Sequence, residues 1–267
     1  SRGLGDVYKR QVKVSGEILD IDEGIELITG FKKEELINKP ILGGKAPLYD
    51  RLRNPDSIEK VSSHWRPQFS FPVQDVPDKR LEETLYFIDY QGVRFISLDS
   101  NIEIGVQVDW LRKALKENEN RWTIITFHHP LYSPASDRDN FEMRQLWKPL
   151  LDEFKVDLVL SGHDHSYSRT GLIDTAKIKN IPTGYQQAYD PEIGTVHVVS
   201  VSGPKMYKIT KGKYAKKLGE DTQLYQIIDI DNENLRFRAY TATGKLYDEF
   251  LLQKRIGKPN LLIETNS

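Results

Sequence analysis

The stretch WTIITFHHPLY, residues 122–132, decides the fold class of this chain of 267 residues. Its first part, Trp122–Phe127, is a short apolar run typical of a strand that is covered on both faces. A second run, VDLVL at 156–160, continues directly into SGHDHSY at 161–167. Each run therefore predicts a buried strand, and each strand ends at a pair of histidines.

Four of the six histidines of the chain, His128, His129, His163 and His165, follow these two predicted strands. In a sheet covered by helices, the carboxyl ends of parallel strands line one crevice in which ligands bind. Neutral imidazole is a good ligand for Zn, Fe and Mn. Gly162 is expected to turn the backbone so that His163 and His165 both face inward. A lone His-Pro is more often an ordinary loop, but the two motifs together predict a metal site.

The other two histidines have structural interpretations. His197 lies in TVHVVSV, a strand-like run, and His64 lies in SHWR, which is predicted to form a packed aromatic patch. Neither stands beside another candidate ligand in the sequence. They are therefore left out of the predicted site.

The rest of the chain after residue 48 alternates between strand and helix patterns. Two β-rich runs, 84–90 and Val93–Ser97, meet at Gln91-Gly92, which is a hairpin signal. Apolar residues at helical spacing predict helices over 108–118 and over 140–154, the latter capped by Asn140. Further strands are predicted at 195–202, Leu224–Ile230 and 235–241. This order predicts an α/β fold, with helices packed over a sheet that has an added antiparallel edge.

Composition excludes several classes of function. The formal net charge is −1, so no partner held through nucleic-acid phosphates is indicated. No apolar run approaches the ~20 residues of a membrane span. The chain has no cysteine, which excludes disulfides, thiolate zinc sites and cysteine nucleophiles.

The order of FHHP (127–130) and VDLVLSGHDHSYSRT (156–170) resembles the C-terminal half of a calcineurin-like metallophosphoesterase of the purple-acid-phosphatase-like branch. Four further strings extend the resemblance over about residues 49–255: SSHWRPQFSFP (62–72), LEETLYFIDYQGVRFISLDSN (81–101), VHVVSVSGPKMY (196–207) and YTATGKLYDEF (240–250). The resemblance implies a partial metallophosphoesterase sandwich, with β-sheets flanked by helices and the N-terminal βαβ units missing.

The same resemblance implies a metal-dependent phosphoesterase, which hydrolyses a phosphate mono- or diester of a small molecule by means of a metal-activated water. It implies that His128 and His163 share one ion of an Fe, Mn or Zn pair and that His165 binds the other. His129 would then support a ligand or face the substrate. The family also suggests an extracytoplasmic location, periplasmic or secreted.

Several motifs of the family are missing from this sequence. Asp-x-His, Gly-Asp-x-x-Asp or -Tyr, and Gly-Asn-His-Asp/Glu supply the bridging and remaining ligands in relatives, and none of them occurs here. We therefore expect this chain to bind at most one ion weakly, with an affinity that falls below about pH 6.5 as histidines protonate. Little activity is expected from the chain alone, whereas the intact parent is expected to be active.

The first 48 residues break the resemblance. Residues 1–11, SRGLGDVYKRQ, are interpreted as translated adapter sequence and are expected to be irregular. Asp6 within them is not expected to be a metal ligand. Within 12–48, a segment at about residues 16–40 resembles part of a PAS sensory domain, most clearly in ITGFKKEELINKP (28–40). An ordinary helix-turn-helix or junction is the alternative. Residues 49–267 would be the C-terminal part of the metallophosphoesterase domain. Two other functions stay open, a non-catalytic metal-binding remnant or scaffold and a sensor with a PAS-type module.

Overall fold

The structure is a computed structural model that describes residues 10–12, 18–21, 69–135, 138–173, 194–209 and 215–264. At 10–12, 18–21 and 172–173 it describes the backbone alone. The chain divides into two compact units, Ser1–Phe71 and Pro72–Ser267. Of the PAS-like segment at about 16–40, only the backbone of 18–21 is described, and His64 lies outside the described residues.

The first unit contains a two-stranded antiparallel sheet. Strand β1 (Arg10–Val12) pairs with β2 (Ile18–Ile21), and Arg10 lies opposite Ile21. The expectation that residues 1–11 are irregular is therefore wrong for Arg10 and Gln11. Their backbone is extended because it pairs with a second extended segment, as in any antiparallel ladder.

The second unit contains two α-helices, a short 3-10 helix (Lys79–Leu81) and eleven strands among its described residues. In chain order the α-helices and strands are β3 (Tyr86–Tyr90), β4 (Val93–Ser97), α1 (Gln107–Lys116), β5 (Trp122–Phe127), α2 (Phe141–Glu153), β6 (Leu158–Ser161), β7 (Tyr167–Ile173), β8 (Thr195–Val199), β9 (Ala215–Gly219), β10 (Leu224–Ile230), β11 (Asn234–Thr241), β12 (Leu246–Arg255) and β13 (Lys258–Glu264). The predicted hairpin is confirmed as β3–β4, and its turn has positive φ at Gln91 (46°) and Gly92 (80°). Positive φ at both turn residues suits a tight hairpin turn. Among the described residues, no helix is both long and apolar enough to cross a membrane.

Seven strands form one mixed sheet, in the order β3-β4-β5-β6-β8-β7-β9. Its centre is parallel, because β4, β5, β6 and β8 run in the same direction. The flanking strands β3, β7 and β9 are antiparallel to their neighbours. The parallel centre places the carboxyl ends of β5 and β6 next to each other.

The last four strands, β10 to β13, form a separate antiparallel sheet. The antiparallel edge of the first sheet is formed by β7 and β9, whereas β10 and β11 belong to this second sheet. Their inward side chains, including Leu224 and Phe237, pack against the face of the seven-stranded sheet instead of pairing with its edge strand. Burying a whole sheet face removes more apolar surface from water than adding edge strands would.

Strand β5 shows how the layers pack. Trp122 and Ile124 belong to the apolar cluster shared with the four-stranded sheet, whereas Ile125 and Phe127 belong to the cluster that also contains residues of α1 and α2. Alternate residues of a strand face opposite sides of a sheet, so β5 is covered on both. The predicted α/β class, with sheets flanked by helices, is confirmed. Helices cover one face and the second sheet covers the other.

The start of helix α2 differs from its predicted cap. Asn140 precedes the helix, but its side chain accepts no capping hydrogen bond. Its Nδ2 instead donates to the carbonyl oxygen of Pro130 at 2.6 Å. Asn140 therefore ties the helix to the loop that carries the first histidine pair.

Candidate metal centre

Two adjacent loops carry the histidines at the carboxyl ends of β5 and β6. Phe127 lies opposite Ser161 in the last parallel pair of these strands. Beyond it, the backbone N–H of Gly162 donates to the carbonyl oxygen of His128 at 3.0 Å. The pairing thus continues past the strands and holds the FHHP loop against the GHDH loop.

The GHDH loop turns at a histidine and not at its glycine. His163 has a positive φ of 63°, whereas the φ of Gly162 is not in the left-handed region. A Cβ added at Gly162 would meet His128 Nδ1 at 3.9 Å, an ordinary contact. The prediction that Gly162 supplies the turn is therefore wrong, since the left-handed residue is His163. A left-handed residue other than glycine costs on the order of 1–3 kcal/mol and occurs most often at functional sites.

His128 and His163 meet as the sequence predicted. Nε2 of His128 lies 2.9 Å from Nδ1 of His163. Ligand atoms of His128, His129 and His163 all lie within 4.8 Å of one another. Two nitrogens that each bind one ion at ~2.1 Å with a right angle between the bonds are about 3.0 Å apart. The separation of the two imidazoles therefore fits a shared cation.

His165 is not among the three histidines of this close group, and its expected role is to bind the other ion. Its Nδ1 is 2.9 Å from the carbonyl oxygen of Lys205. Its ring is stacked on Tyr207, with centroids 4.5 Å apart. An N–H donated to a carbonyl fixes the imidazole tautomer and leaves the lone pair on Nε2. His165 thus has the bonding pattern of a metal-binding histidine, and its role as a ligand stays a prediction.

Ser100 contacts both the ring and the backbone of His129. The hydroxyl of Ser100 lies 3.0 Å from His129 Nδ1 and also accepts the backbone N–H of His129 at 2.9 Å. The ring of His129 is 4.1 Å from that of His163, centroid to centroid. This geometry orients His129 toward the histidine group. Its predicted supporting or substrate-facing role stays open.

Burial lowers the pKa of the grouped histidines. The pKa values of His128 and His129 are below the usual 6.5, and that of His163 is lowered to about 4. Their imidazoles are therefore neutral at neutral pH, as metal binding requires. With these lowered pKa values, we expect the loss of metal affinity to begin at a lower pH than the 6.5 of an ordinary histidine.

The one carboxylate inside the GHDH motif is bound by partners other than the histidines. Asp164 is buried, with 1% of its surface exposed. It accepts the hydroxyl of Ser133 at 2.5 Å and Nη1 of Arg138 at 2.8 Å. Among the described residues, no carboxylate joins the group formed by the three histidines. Sequence reasoning missed Ser100, Ser133 and Arg138, which stand in loops without any recognisable spacing.

A cavity of about 270 Å³ opens beside His129. The start of α2 and a loop after β4 form much of its wall. The lining residues are Ser100, Ile104, His129, Asp139, Asn140, Phe141, Glu142 and Met143. The cavity therefore offers space for part of a small ligand next to the histidine group.

The histidine loops fall within a family match. Residues 44–167 match the calcineurin-like phosphoesterase family. The match confirms the predicted resemblance. It includes both calcineurin-like histidine motifs, FHHP and GHDH, and ends at Tyr167, where β7 begins.

Curated relatives point to the purple-acid-phosphatase branch. Purple acid phosphatase 23 of Arabidopsis thaliana is 29% identical over 158 residues, which are 56% of this chain and 32% of that protein. An acid phosphatase of Aspergillus ficuum is 36% identical over 88 residues, 30% of this chain and 14% of that protein. The chain thus spans about a third or less of the length of these relatives.

Solved structures support the fold. A purple acid phosphatase from yellow lupin seeds superposes with a TM-score of 0.54 at 22% identity, covering 67% of this chain and 34% of that one. PhoD superposes with a TM-score of 0.51 at 12% identity, covering 76% of this chain and 48% of that one. Both similarities concern the metallophosphoesterase fold.

The structural interpretation of His197 is confirmed. It is 4% exposed and packs edge-on against the ring of Tyr132, with centroids 4.8 Å apart. Burial and the charge of Lys148 hold the pKa of His197 well below 6.5. Neither ring nitrogen has a hydrogen-bond partner. His197 is thus a neutral core residue in this phosphoesterase-like unit.

Proposed function

We propose that this chain carries the histidine-bearing part of a metal-dependent phosphoesterase, which hydrolyses a phosphate mono- or diester with a metal-activated water. The observation that carries the proposal is the 2.9 Å separation of His128 Nε2 and His163 Nδ1 at the ends of two adjacent parallel strands. The calcineurin-like family match and the purple acid phosphatase relatives support the reaction class.

Four imidazoles have distinct proposed tasks. His128 and His163 hold one cation, Fe, Mn or Zn, and their lowered pKa values keep the binding nitrogens unprotonated at neutral pH. His165 offers Nε2 to the second ion of the intact protein, because the Lys205 carbonyl occupies its Nδ1. His129 faces the substrate and is held by Ser100. A bound dication polarises the phosphoryl group and lowers the pKa of a water ligand.

This chain on its own is proposed to hold at most one ion. Two dications held close together need a bridging anionic ligand to offset their repulsion, and neutral imidazole neither bridges nor carries negative charge. Asp164 supplies no such ligand, since Ser133 and Arg138 take its oxygens. Little turnover is therefore expected from this chain, whereas a parent that supplies the missing carboxylates should be active.

Hydrolysis of p-nitrophenyl phosphate and of its bis ester tests the proposal, with Mn, Zn or Fe added to the purified chain. We expect turnover near background together with metal binding that depends on His163. Robust turnover that His163→Ala abolishes would contradict the incomplete site but keep the phosphoesterase. Absence of any metal binding would contradict the site itself. Arg112→Gln, on the exposed face of α1, is the control for substitution as such.

A further inference from the structure

A positively charged corner lies beside the histidine group. Nη1 of Arg138 donates to Asp164 Oδ1 at 2.8 Å, and the guanidinium carbon lies 5.0 Å from the ring centre of Tyr207. Nζ of Lys205 lies 5.1 Å from the centre of the same ring. Hydrogen bonding from Lys205, with a smaller contribution from Arg138, lowers the pKa of the Tyr207 hydroxyl. Two cations therefore share one aromatic side chain at this point.

Arg138 is anchored to the turn that presents His163. Its partner Asp164 has a fully buried side chain and also accepts the Ser133 hydroxyl at 2.5 Å. Because Asp164 immediately follows His163, the ion pair fixes Arg138 relative to the histidine loop. The arginine side chain itself is 35% exposed, so part of it stays accessible to a ligand.

Arg138 is better suited than Lys205 to hold a phosphate. A guanidinium has five N–H donors in a planar fork that matches two oxygens of a phosphate. Lysine, by comparison, is a flexible point charge, and Lys205 is exposed. Of the two cations, Arg138 is thus the better placed to orient a phosphate.

The cavity beside His129 differs in charge from the surroundings of Arg138. Its lining includes the carboxylates of Asp139 and Glu142 and no lysine or arginine. Asp139 is paired with Arg144 at 2.7 Å, and Glu142 is exposed. The cavity lining therefore offers a phosphate no cation, whereas Arg138 offers one.

We propose that Arg138 binds the non-bridging oxygens of the substrate phosphoryl group, next to the cation held by His128 and His163. The inference rests on the proposed function and adds a phosphate-binding residue to it. Asp164 and Ser133 position the arginine, and the phosphoryl group takes the donors that these residues leave. The alcohol part of the ester then lies toward the cavity beside His129.

Binding of inorganic phosphate to the Mn-loaded chain tests the inference by calorimetry and without any activity readout. Charge-assisted hydrogen bonds are among the strong ones, so Arg138→Gln should weaken phosphate binding about tenfold. Arg138→Lys keeps the charge but loses the fork and should weaken binding by about threefold. Arg112→Gln removes an exposed arginine of an ion pair on α1 and should leave phosphate affinity unchanged.

A second pair of variants separates phosphate binding from folding. Arg138→Gln leaves the buried Asp164 carboxylate without its cation, whereas Arg138→Gln with Asp164→Asn removes both charges. Weakened phosphate binding in the double variant, at an unchanged melting temperature and Mn affinity, supports the inference. Phosphate affinity that survives both substitutions would overturn the role of Arg138 but keep the proposed function. A wild-type chain that binds Mn but no phosphate would overturn the role of Arg138 and leave the metal site standing, whereas a chain that binds no Mn would overturn both.

Discussion

Replacing Asp248 by alanine is expected to destabilise the second unit strongly. Asp248 on β12 accepts Arg169 Nε at 2.6 Å, Arg169 Nη2 at 3.1 Å and the hydroxyl of Tyr167 at 2.7 Å. The side chains of Asp248 and Arg169 are both only 5% exposed. Tyr167 and Arg169 begin β7, directly after the GHDH loop, so this ion pair ties the histidine loop to the four-stranded sheet.

The size of the loss of stability follows from the Arg169 charge that alanine leaves buried. Removing one partner of a buried ion pair costs about 3–5 kcal/mol, because the other charge stays buried without compensation. Arg169 keeps a second carboxylate, Glu264, at 2.8 Å, and that carboxylate is 40% exposed. The loss should therefore lie near the lower end, at about 3 kcal/mol. For a unit of this size, that corresponds to a fall of roughly 6–12 °C in melting temperature.

Thermal and denaturant unfolding, followed by circular dichroism, measure this loss. Glu153→Ala is the matched control, since Glu153 and its partner Arg112 are 51% and 47% exposed. An exposed pair contributes less than about 1 kcal/mol, so this control should unfold near the wild-type temperature. Equal effects of Asp248→Ala and Glu153→Ala would refute the reasoning from burial.

Three other results are expected from the described residues. Mn affinity should stay level from about pH 8 to about pH 6 and fall only toward pH 4, because burial lowers the pKa of His163 to about 4. Calorimetry at a series of pH values measures this, and a midpoint of the loss of affinity near pH 6.5 would contradict it. Phe237→Ala should cost about 3–5 kcal/mol in guanidinium unfolding, because Phe237 is fully buried and stacked on Phe250 at 4.8 Å; a loss below about 1 kcal/mol would speak against the inter-sheet core. His197→Phe should reduce the loss of stability below about pH 6.5. The pKa of His197 is well below its unfolded value in the folded chain, so only the unfolded chain binds a proton at this residue. A pH profile of the melting temperature that is unchanged in the variant would contradict this.

The strands with a clear apolar pattern could be predicted from the sequence. β5 and β10 occur with the predicted bounds, because each consists of apolar residues at strand spacing between polar turns. The helices α1 and α2 begin and end within two residues of their predicted bounds. Local periodicity was sufficient for these elements, since burial of one face determines them.

Other strands depend on contacts that local sequence does not reveal. β12 alternates buried and less buried residues, but one of its buried positions is the charged Asp248. That charge is compatible with the core only because Arg169, 79 residues earlier, pairs with it. The same difficulty applied to β7, which starts directly after the GHDH loop and contains Arg169 at a buried position. Long-range pairing of charges explains why these strands were missed.

The candidate site was predicted in part. The strand-end positions of His128 and His163 followed from the two apolar runs, and the structure brings these residues together. The left-handed turn at His163 and the ion pair of Asp164 with Arg138 were not foreseeable, because the pair joins loops 26 residues apart. The hydrogen bond between His165 and the carbonyl of Lys205 was likewise not foreseeable, because the two residues are 40 positions apart.

Calorimetric titration of Mn²⁺ or Zn²⁺ into the purified chain tests the central claim most directly. The account predicts at most one ion per chain, with binding lost in His163→Ala at an unchanged melting temperature and retained in His165→Ala. His128→Ala should match His163→Ala, since the two imidazoles are 2.9 Å apart and are proposed to share the ion. Two ions bound per chain, or binding that survives His163→Ala, would contradict the account.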